Sequence, residues 1–436
     1  MTRVRTSGII AATVAIVAVA GYFVGPTIFH YAAEDGAPAS SPSAAATSTP
    51  APLAEAPEVT RIKAAAAKGD LQALSRLGDI YYAGNGVPKD YAKARDAWAT
   101  AAAKGNADAQ SGLGTLYYLG QGVPKDYDKA KALYEKAAAQ NNPTALNSLG
   151  WMYVTGTGVG VDYAQAISYY QKSANLGSYP KSADLGSAEA EDRLGELAEE
   201  GKGQKADPAL AAQWYTKAAQ KGHGLAQENL AELYLRGLGV QKDFGQAQHW
   251  LEEASKHGHP EAAVKLGDLY AHGVFDAGSP AKTQQAVVDW YQKAADAGNA
   301  LGQAELGELY DTGSNPFAKK DINHAIALWK KAGDQGYAKA AYNVGIEYEN
   351  GADVPRDMAQ AVEWYTKAGN AGFDLAQYKL GIFYLHGTGV SRDLNESIKW
   401  SNMAMKSTNN SMIESYAMSN AMEATHELSQ QMYGVR

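Results

Sequence analysis

The sequence contains no cysteine and only 7 phenylalanines in 436 residues. The absence of cysteine excludes a disulfide framework, a thiolate nucleophile and a cysteine-based zinc site. Tyrosine and glycine are frequent by contrast, with 27 and 45 residues. Such a bias in so long a chain favours internal repetition over two or three ordinary globular domains.

The sequence also lacks an excess of basic charge. Its formal net charge is -8, and the only charged residues before Glu34 are Arg3 and Arg5, so the remainder is more acidic still. A surface that binds nucleic acid needs clustered Lys and Arg to neutralise phosphates. We therefore expect no nucleic-acid partner.

One long apolar run is present, at the N-terminus. It extends from Gly8 to Phe29, 22 residues that are apolar except for an occasional threonine, and it follows Arg3 and Arg5. This length exceeds the ~20 residues that cross a bilayer as a helix. We predict a signal anchor or transmembrane segment over residues 1–33, with the two arginines in the cytoplasm and the rest of the chain in the periplasm.

A cleaved signal peptide, which would release a periplasmic or secreted protein, is the alternative. Ala18-Val19-Ala20 before Gly21 has the small-x-small form that a signal peptidase recognises. The anchor is favoured because the apolar run continues through Tyr22, Phe23 and Val24. Residues 34–57, rich in Ala, Pro and Ser, then predict a flexible linker between the membrane and the folded part.

A repeat with a period of 36 residues, lengthened by three insertions, fills residues 58–408. It is anchored on a Leu-Gly pair whose successive spacings are 36, 36, 45, 36, 36, 40, 38 and 36 residues. The nine anchor positions are Leu77, Leu113, Leu149, Leu194, Leu230, Leu266, Leu306, Val344 and Leu380.

Each repeat begins with a predicted helix around its anchor. A small residue stands four positions before the anchor, Gly (Ala231 in the fifth repeat) one position after it, and Tyr (Ala198 in the fourth) four positions after it. These residues share one helical face. A glycine seven positions after the anchor, in all nine repeats, predicts a left-handed residue that ends the helix.

A second helix follows in each repeat. Its predicted N-cap residues are Asp90, Asp126, Asp162, Asp207, Asp243, Thr283, Asp321, Asp357 and Asp393. An aromatic residue lies seven or eight positions beyond each cap, for example Trp98, and is predicted to pack in the core.

Hairpins of this size cannot bury their own apolar faces, so consecutive hairpins must stack. We predict an all-α fold, an α/α superhelical solenoid of nine helix-turn-helix repeats. A lone second helix over Arg61–Gly69 should cover its start, and residues 409–436 should form a capping helix at its end. The spacing of 45 predicts a lengthened helix or a bulging loop around Tyr179, whereas the other insertions fall in turns at residues 275–282 and 314–319.

The repeat resembles the Sel1-like repeat family, relatives of tetratricopeptide repeats. The resemblance rests on the pattern small-x-x-x-Leu-Gly-x-x-Tyr-x-x-Gly-x-Gly-Val-x-x-Asp, followed by Ala-x-x-Trp-Tyr-x-Lys-Ala-Ala-x-x-Gly, over about residues 61–408. It implies a non-enzymatic adaptor, in bacteria often exported, that assembles complexes or regulates envelope processes.

The resemblance to tetratricopeptide repeats also implies that first-helix offsets -5, -2, +2 and +5 from the anchor face a concave groove. In the fourth to seventh repeats ten of these sixteen positions are acidic and none is basic, a set that we call the acidic wall: Glu189, Asp192, Glu196, Glu199, Glu228, Glu232, Glu261, Asp268, Glu308 and Asp311. A protein partner with a basic segment is therefore predicted.

At both ends of the repeat array the same offsets hold aromatic or apolar residues that could anchor a protein partner. They are Tyr82, Tyr118 and Trp151 before the acidic wall, and Tyr342, Ile346, Tyr378, Ile382 and Leu385 after it. The alternative is that the acidic residues form a solvated face and that the others pack on neighbouring repeats. A second functional hypothesis is binding of peptidoglycan or another glycan polymer, for which these rings offer stacking surfaces.

Catalytic and metal-binding patterns are weak. His249, His257, His259 and His272 lie close in sequence but without the one-turn helical spacing of a strong metal site, so we interpret them as surface or packing residues. Two Ser-x-x-Lys matches, at residues 178–181 and 279–282, lack the other motifs of penicillin-binding enzymes. We predict no catalytic, cofactor-binding or metal-binding residue.

Overall fold

The computed structural model describes residues 57–176 and 180–433. These ranges contain twenty α-helices, and the one β-type pairing within them is an isolated bridge between Asn315 and Ala318. The predicted all-helical class is therefore confirmed. The chain divides into two compact units, of which the first ends at Val159 and the second begins at Gly160.

The first unit contains a lone helix, two complete hairpins and the first helix of the third repeat. Its helices are α1 (Pro57–Ala67), α2 (Leu71–Ala83), α3 (Tyr91–Ala103), α4 (Ala107–Leu119), α5 (Tyr127–Ala138) and α6 (Pro143–Thr155).

The second unit contains the remaining helix of the third repeat, six complete hairpins and a terminal helix. Its helices are α7 (Tyr163–Ala174), α8 (Pro180–Glu200), α9 (Pro208–Gln220), α10 (Gly224–Arg236), α11 (Phe244–Lys256), α12 (Pro260–Ala271), α13 (Pro280–Asp296), α14 (Ala300–Thr312), α15 (Ile322–Asp334), α16 (Ala338–Asn350), α17 (Met358–Asn370), α18 (Asp374–His386), α19 (Leu394–Ser407) and α20 (Ser411–Tyr433).

Within each unit every helix packs against its neighbours in sequence. The two helices of a repeat pack together, as α10 does with α11, and the second helix also packs against the first helix of the next repeat, as α11 does with α12. Contacts between successive first helices, such as α12 and α14, complete the stack. Each unit thus buries its apolar residues between hairpins, as expected for a repeat protein.

A left-handed glycine ends the first helix of each repeat, as predicted. All nine glycines have a positive φ, from 59° at Gly313 to 77° at Gly84. At Gly237, for example, the backbone N–H donates a hydrogen bond of 2.8 Å to the carbonyl of Leu233. Glycine adopts this conformation without the steric cost that a Cβ would add.

Eight of the nine predicted N-caps of the second helices are confirmed, because each Asp side chain accepts a backbone N–H from the first turn of its helix. Thr283 is the exception, and its prediction was wrong. The cap of α13 is Ser279, which starts that helix four residues earlier. The hydroxyl of Thr283 instead donates to Asp276, 3.0 Å away, and accepts the N–H of Ala277.

The insertions take different forms. Helix α8 has 21 residues, whereas α10 and α14 have 13, so the extra residues before the fourth repeat lengthen a helix, one of the two predicted outcomes. The insertion of the sixth repeat forms a turn and also lengthens α13 to 17 residues. Phe275 from this turn is buried, with its ring 5.6 Å from that of Tyr270.

Both ends of the described repeat array are covered by a helix. Helix α1 packs against α2, which confirms the lone helix predicted around Arg61. Helix α20 packs against α18 and α19, and with its Ala424 it buries Leu385 to 1% exposure. The interpretation of Leu385 as a groove residue was therefore wrong, because the terminal helix covers it.

No helix among residues 57–176 and 180–433 is long and apolar enough to span a bilayer. The predicted transmembrane segment, residues 1–33, and the linker that follows it lie outside the described residues.

A glycine–aromatic contact joins the two helices of most repeats. A Cβ built on Gly267 would lie only 2.5 Å from the ring of Tyr291, and one on Gly307 only 2.6 Å from that of Trp329. The absence of a side chain therefore lets the ring sit directly on the first helix. In the fifth repeat Ala231 replaces the glycine and Leu251 replaces the aromatic residue, and both are buried. The methyl group of the alanine is thus accommodated by a smaller side chain on the second helix.

Gly267→Ala should destabilise the protein because the new methyl group overlaps the Tyr291 ring. Overpacking of this kind costs about 1–3 kcal/mol. Adding Tyr291→Leu reproduces the Ala-Leu pair of the fifth repeat, so the double variant should lose less stability than the two single variants together. Urea unfolding followed by circular dichroism measures this double-mutant cycle. If the losses of stability in the two single variants simply add in the double variant, the contact between Gly267 and Tyr291 does not set the spacing of the two helices.

Candidate functional site

The acidic wall lies on the first helices α8, α10, α12 and α14 of the second unit. Its members differ in solvent exposure. Glu189, Asp192 and Glu228 are buried, with 9%, 0% and 6% of their surface exposed. The partly exposed members are Glu196, Glu199, Asp268 and Asp311, and the exposed ones are Glu232, Glu261 and Glu308. The three buried carboxylates are closed to a partner unless the stack opens.

Several of these carboxylates connect successive repeats. Oδ1 of Asp192 accepts a hydrogen bond of 3.1 Å from the amide of Asn229, and Oε2 of Glu228 lies 2.9 Å from Nζ of Lys265. In each pair an acid on one first helix meets a donor on the next. The expectation that these side chains form one free surface is therefore wrong at these positions, since they hold the stack together.

Other members of the acidic wall bind the second helix of their own repeat. The hydroxyl of Tyr215 donates to Glu199 over 3.1 Å, and that of Tyr291 donates to Asp268 over 2.6 Å. Burial and the adjacent carboxylate raise the pKa of both tyrosines, so each phenol keeps the proton that it donates.

Basic residues near the acidic wall reduce its negative charge. Arg193 is 5% exposed and its guanidinium lies 2.6 and 2.8 Å from the two oxygens of Glu196. Lys339, from the eighth repeat, lies 2.8 Å from Glu308. Neither cation was counted by the sequence pattern, which considered four offsets in four repeats. Arg193 stands at offset -1 of the fourth repeat, and Lys339 stands at offset -5 of the eighth. A search that included the neighbouring offset and the next repeat would have found both.

The pKa values of two equivalent buried carboxylates shift in opposite directions. Asp192 and Glu228 both stand two residues before their anchors. Burial raises the pKa of Asp192 to about 6 despite the nearby Arg193. Burial alone would also raise the pKa of Glu228, but hydrogen bonding with His259 and the charge of Lys265 outweigh it and lower that pKa.

Each of these carboxylates also faces the histidine at the N-cap of the next first helix. Nδ1 of His223 lies 3.9 Å from Asp192, and Nδ1 of His259 lies 3.5 Å from Glu228. Both histidines occupy N-cap positions. His223 accepts the backbone N–H of Ala226 over 3.4 Å, and burial lowers its pKa to about 4, so it is neutral at neutral pH. His259 makes no such capping bond.

The other histidines of the sequence cluster have ordinary packing roles. Nδ1 of His257 lies 2.8 Å from the carbonyl of Glu253, and Nδ1 of His272 lies 2.7 Å from that of Asp268. The ring of His249 packs on Trp250. Likewise Ser279, from the second Ser-x-x-Lys match, caps α13. Among these residues only His259 joins a group of metal-ligating side chains, with Glu228 and Glu261.

The aromatic residues predicted as anchors are all partly buried. In the first unit the ring of Tyr82 lies 5.5 Å from those of Tyr91 and Trp98, and Tyr118 lies 5.4 Å from Tyr127. Trp151 belongs to the same unit.

In the second unit the ring of Tyr342 lies 4.7 Å from that of Phe373, and Tyr378 stacks on Tyr416 of α20 at 6.1 Å. Burial raises the pKa of Tyr342 to about 12. These rings therefore stabilise the stack with one face and leave part of their surface to solvent.

The sequence matches the family model described as Sel1 repeat nine times, over residues 71–106, 107–142, 143–178, 188–223, 224–259, 260–299, 300–337, 338–373 and 374–407. No curated protein matches it. Solved structures do. A protective antigen of uropathogenic Escherichia coli with an SLR fold is 29% identical, over 84% of this chain and 82% of that one, with a TM-score of 0.47. A Sel1 repeat protein from Oxalobacter formigenes is 30% identical, over 60% of this chain and 100% of that one, also with a TM-score of 0.47.

Asp192→Asn and Glu228→Gln should shift stability in opposite directions at about pH 8. The folded-state pKa of Asp192 is raised, so its stabilising contribution is complete below its unfolded pKa of about 4 and is lost as the pH rises through about 6. Asp192→Asn should therefore stabilise the protein at about pH 8, by on the order of 2 kcal/mol. The pKa of Glu228 is lowered, so its contribution is present above its unfolded value and Glu228→Gln should destabilise.

Thermal unfolding of the full chain at about pH 5 and about pH 8, followed by circular dichroism, measures both effects. Glu232→Gln is the control, because this exposed carboxylate lies on the same face and should change the midpoint little. Shifts of the same sign for the two buried positions would contradict the assignment.

Proposed function

Because this chain belongs to the Sel1 repeat family, we propose that it is a membrane-tethered scaffold outside the cytoplasm that binds a basic segment of a partner protein. Sel1 repeat proteins generally mediate protein–protein interactions. Within that general role, the partner's chemistry follows from the charge of the first-helix face. We propose no catalytic activity for it.

The observation that carries the proposal is the exposure of acidic side chains on three consecutive first helices. Glu232 of α10, Glu261 of α12 and Glu308 of α14 are exposed. Glu232 has a weak partner, Arg236 at 3.8 Å on its own helix, so most of its charge stays available. Glu308 is paired with Lys339 at 2.8 Å, so the row carries less than its full formal charge. Its remaining negative charge raises the local concentration of a cationic segment and speeds its association.

The membrane tether rests on the sequence. The apolar residues 8–29, preceded by Arg3 and Arg5, would hold the chain in the inner membrane, and residues 34–57 would let the repeats stand away from it. A cleaved form that leaves the repeats free in the periplasm is the second possibility.

Removing the exposed charges should weaken binding to a Lys/Arg-rich peptide. We expect Glu232→Gln with Glu308→Gln to lower the affinity several-fold at low ionic strength. The matched control is Asp289→Asn with Glu363→Gln, which removes the same charge from exposed sites on the second helices α13 and α17. Fluorescence anisotropy with a labelled peptide measures both variants.

The salt dependence of binding distinguishes a charged binding surface from an apolar one. Binding should fall as ionic strength rises from about 50 mM to about 500 mM, because exposed charges are screened within about 10 Å at 0.1 M. Affinity that does not depend on salt, or equal losses in the two double variants, would show that the acidic wall is not the binding surface.

The tether is tested by cell fractionation of the full chain and of a form lacking residues 1–33. The full chain should stay with the inner membrane after an alkaline wash, whereas the shortened form should not. Release of the full chain into the periplasmic fraction, with a new N-terminus at Gly21, would establish the cleaved form instead.

A further inference from the structure

We propose that Glu228, His259 and Glu261 form a binding site for a divalent transition-metal cation such as Zn²⁺. The argument for this site does not rest on the scaffold role proposed above, although Glu261 also belongs to the exposed acidic row. The three side chains belong to two consecutive first helices. Glu228 lies on α10, His259 is the N-cap residue of α12, and Glu261 lies in the first turn of α12. One donor atom of each lies within 4.8 Å of the donor atoms of the other two.

These distances fit a shared cation after small side-chain rotations. Ligand atoms lie about 2.0–2.2 Å from Zn²⁺, so two ligands of one ion are separated by at most about 4 Å. Nδ1 of His259 and Oε1 of Glu228 are 3.5 Å apart and already meet this limit. Glu261 is exposed and can rotate to complete the set.

His259 occupies a helix N-cap position but does not cap the helix. The corresponding residues Asn106, Asn142 and Asn299 each accept a backbone N–H through the side chain, whereas His259 makes no side-chain capping bond. Its imidazole instead lies over Gly224, where a Cβ would come within 1.9 Å of its Cδ2 atom. The first residue of α10 thus provides the space that lets this ring approach Glu228.

Both carboxylates are held through one oxygen, which leaves the other for a cation. Oε2 of Glu228 lies 2.9 Å from Nζ of Lys265, and Oε1 of Glu261 accepts a hydrogen bond of 3.3 Å from the amide of Asn299. Such outer hydrogen bonds orient ligands in known metal sites. The two carboxylates carry two negative charges and Lys265 carries one positive charge, so the site keeps a net negative charge. The ammonium group of Lys265 nevertheless lowers the affinity for a cation.

The ligand types favour a transition metal over Mg²⁺ or Ca²⁺. Imidazole suits Zn²⁺, Cu²⁺, Ni²⁺ and Fe²⁺, whereas the harder ions prefer oxygen ligands alone. Glu228 is buried, while His259 and Glu261 are partly or fully open to solvent. A bound ion would therefore keep coordination positions for water or for a side chain of a partner.

The preceding repeat provides an internal control. There His223 faces Asp192 in the same way, but the residue equivalent to Glu261 is Leu225, and His223 uses Nδ1 to cap α10. Glu189 also lies near this pair, but the three side chains do not bring their donor atoms within 4.8 Å of one another. This second acid–histidine pair should therefore not bind the cation comparably.

The test is Zn²⁺ binding by the full chain in competition with a chromophoric chelator. We expect a Zn²⁺ site that His259→Asn weakens at least tenfold, whereas His223→Asn leaves it unchanged. Each variant places at the N-cap an asparagine, the residue type that caps α14. Both variants should therefore remain folded, which circular dichroism will verify. Excess Mg²⁺ should not displace Zn²⁺.

Glu261→Gln is a second variant, at an exposed position, and should also weaken binding. Zn²⁺ affinity unchanged in both His259→Asn and Glu261→Gln would overturn the proposal, as would an equal loss in His223→Asn. Because these variants leave Glu232 and Glu308 intact, failure here does not bear on peptide binding by the acidic wall.

Discussion

The contact between a glycine on the first helix and a ring on the second sets the geometry of this protein. Two examples are Gly267 with Tyr291 and Gly307 with Trp329, in which a methyl group would lie within 2.6 Å of the ring. Because protein interiors are packed without spare volume, this contact fixes the distance between the two helices of a hairpin. Hairpins of similar thickness can then stack one on the next, and the first-helix face that carries the acidic wall depends on that stacking.

The sequence predicts the fold well because its determinants are local and repeated nine times. Helix ends at Gly84 and the caps at Asp90 follow from short-range geometry that any one repeat contains. The sixth repeat fails the rule because its insertion supplies Ser279, a second good cap four residues before Thr283. When two caps are available, the choice depends on what the turn packs against, here the burial of Phe275, and the local pattern does not contain that information.

The acidic wall was harder to predict because its contacts join residues one repeat apart. Asp192 with Asn229 and Glu228 with Lys265 are each separated by 37 residues, the period plus one. Offsets counted within single repeats place each acid correctly on its helix but omit the donor on the next one. A comparison of offset -2 in one repeat with offset -1 in the following repeat would have indicated these pairs.

The two proposals meet in the same region of the fourth to seventh repeats, and linkage connects them. A divalent cation at Glu228, His259 and Glu261 would cancel negative charge between the exposed Glu232 and Glu308. It would thereby lower the attraction for a basic segment, and a bound basic segment would lower the affinity for the cation by the same factor. If the partner itself supplies a ligand to the cation, cation and partner would instead increase each other's affinity. The direction of the coupling therefore distinguishes a partner attracted by charge from one that completes a metal site.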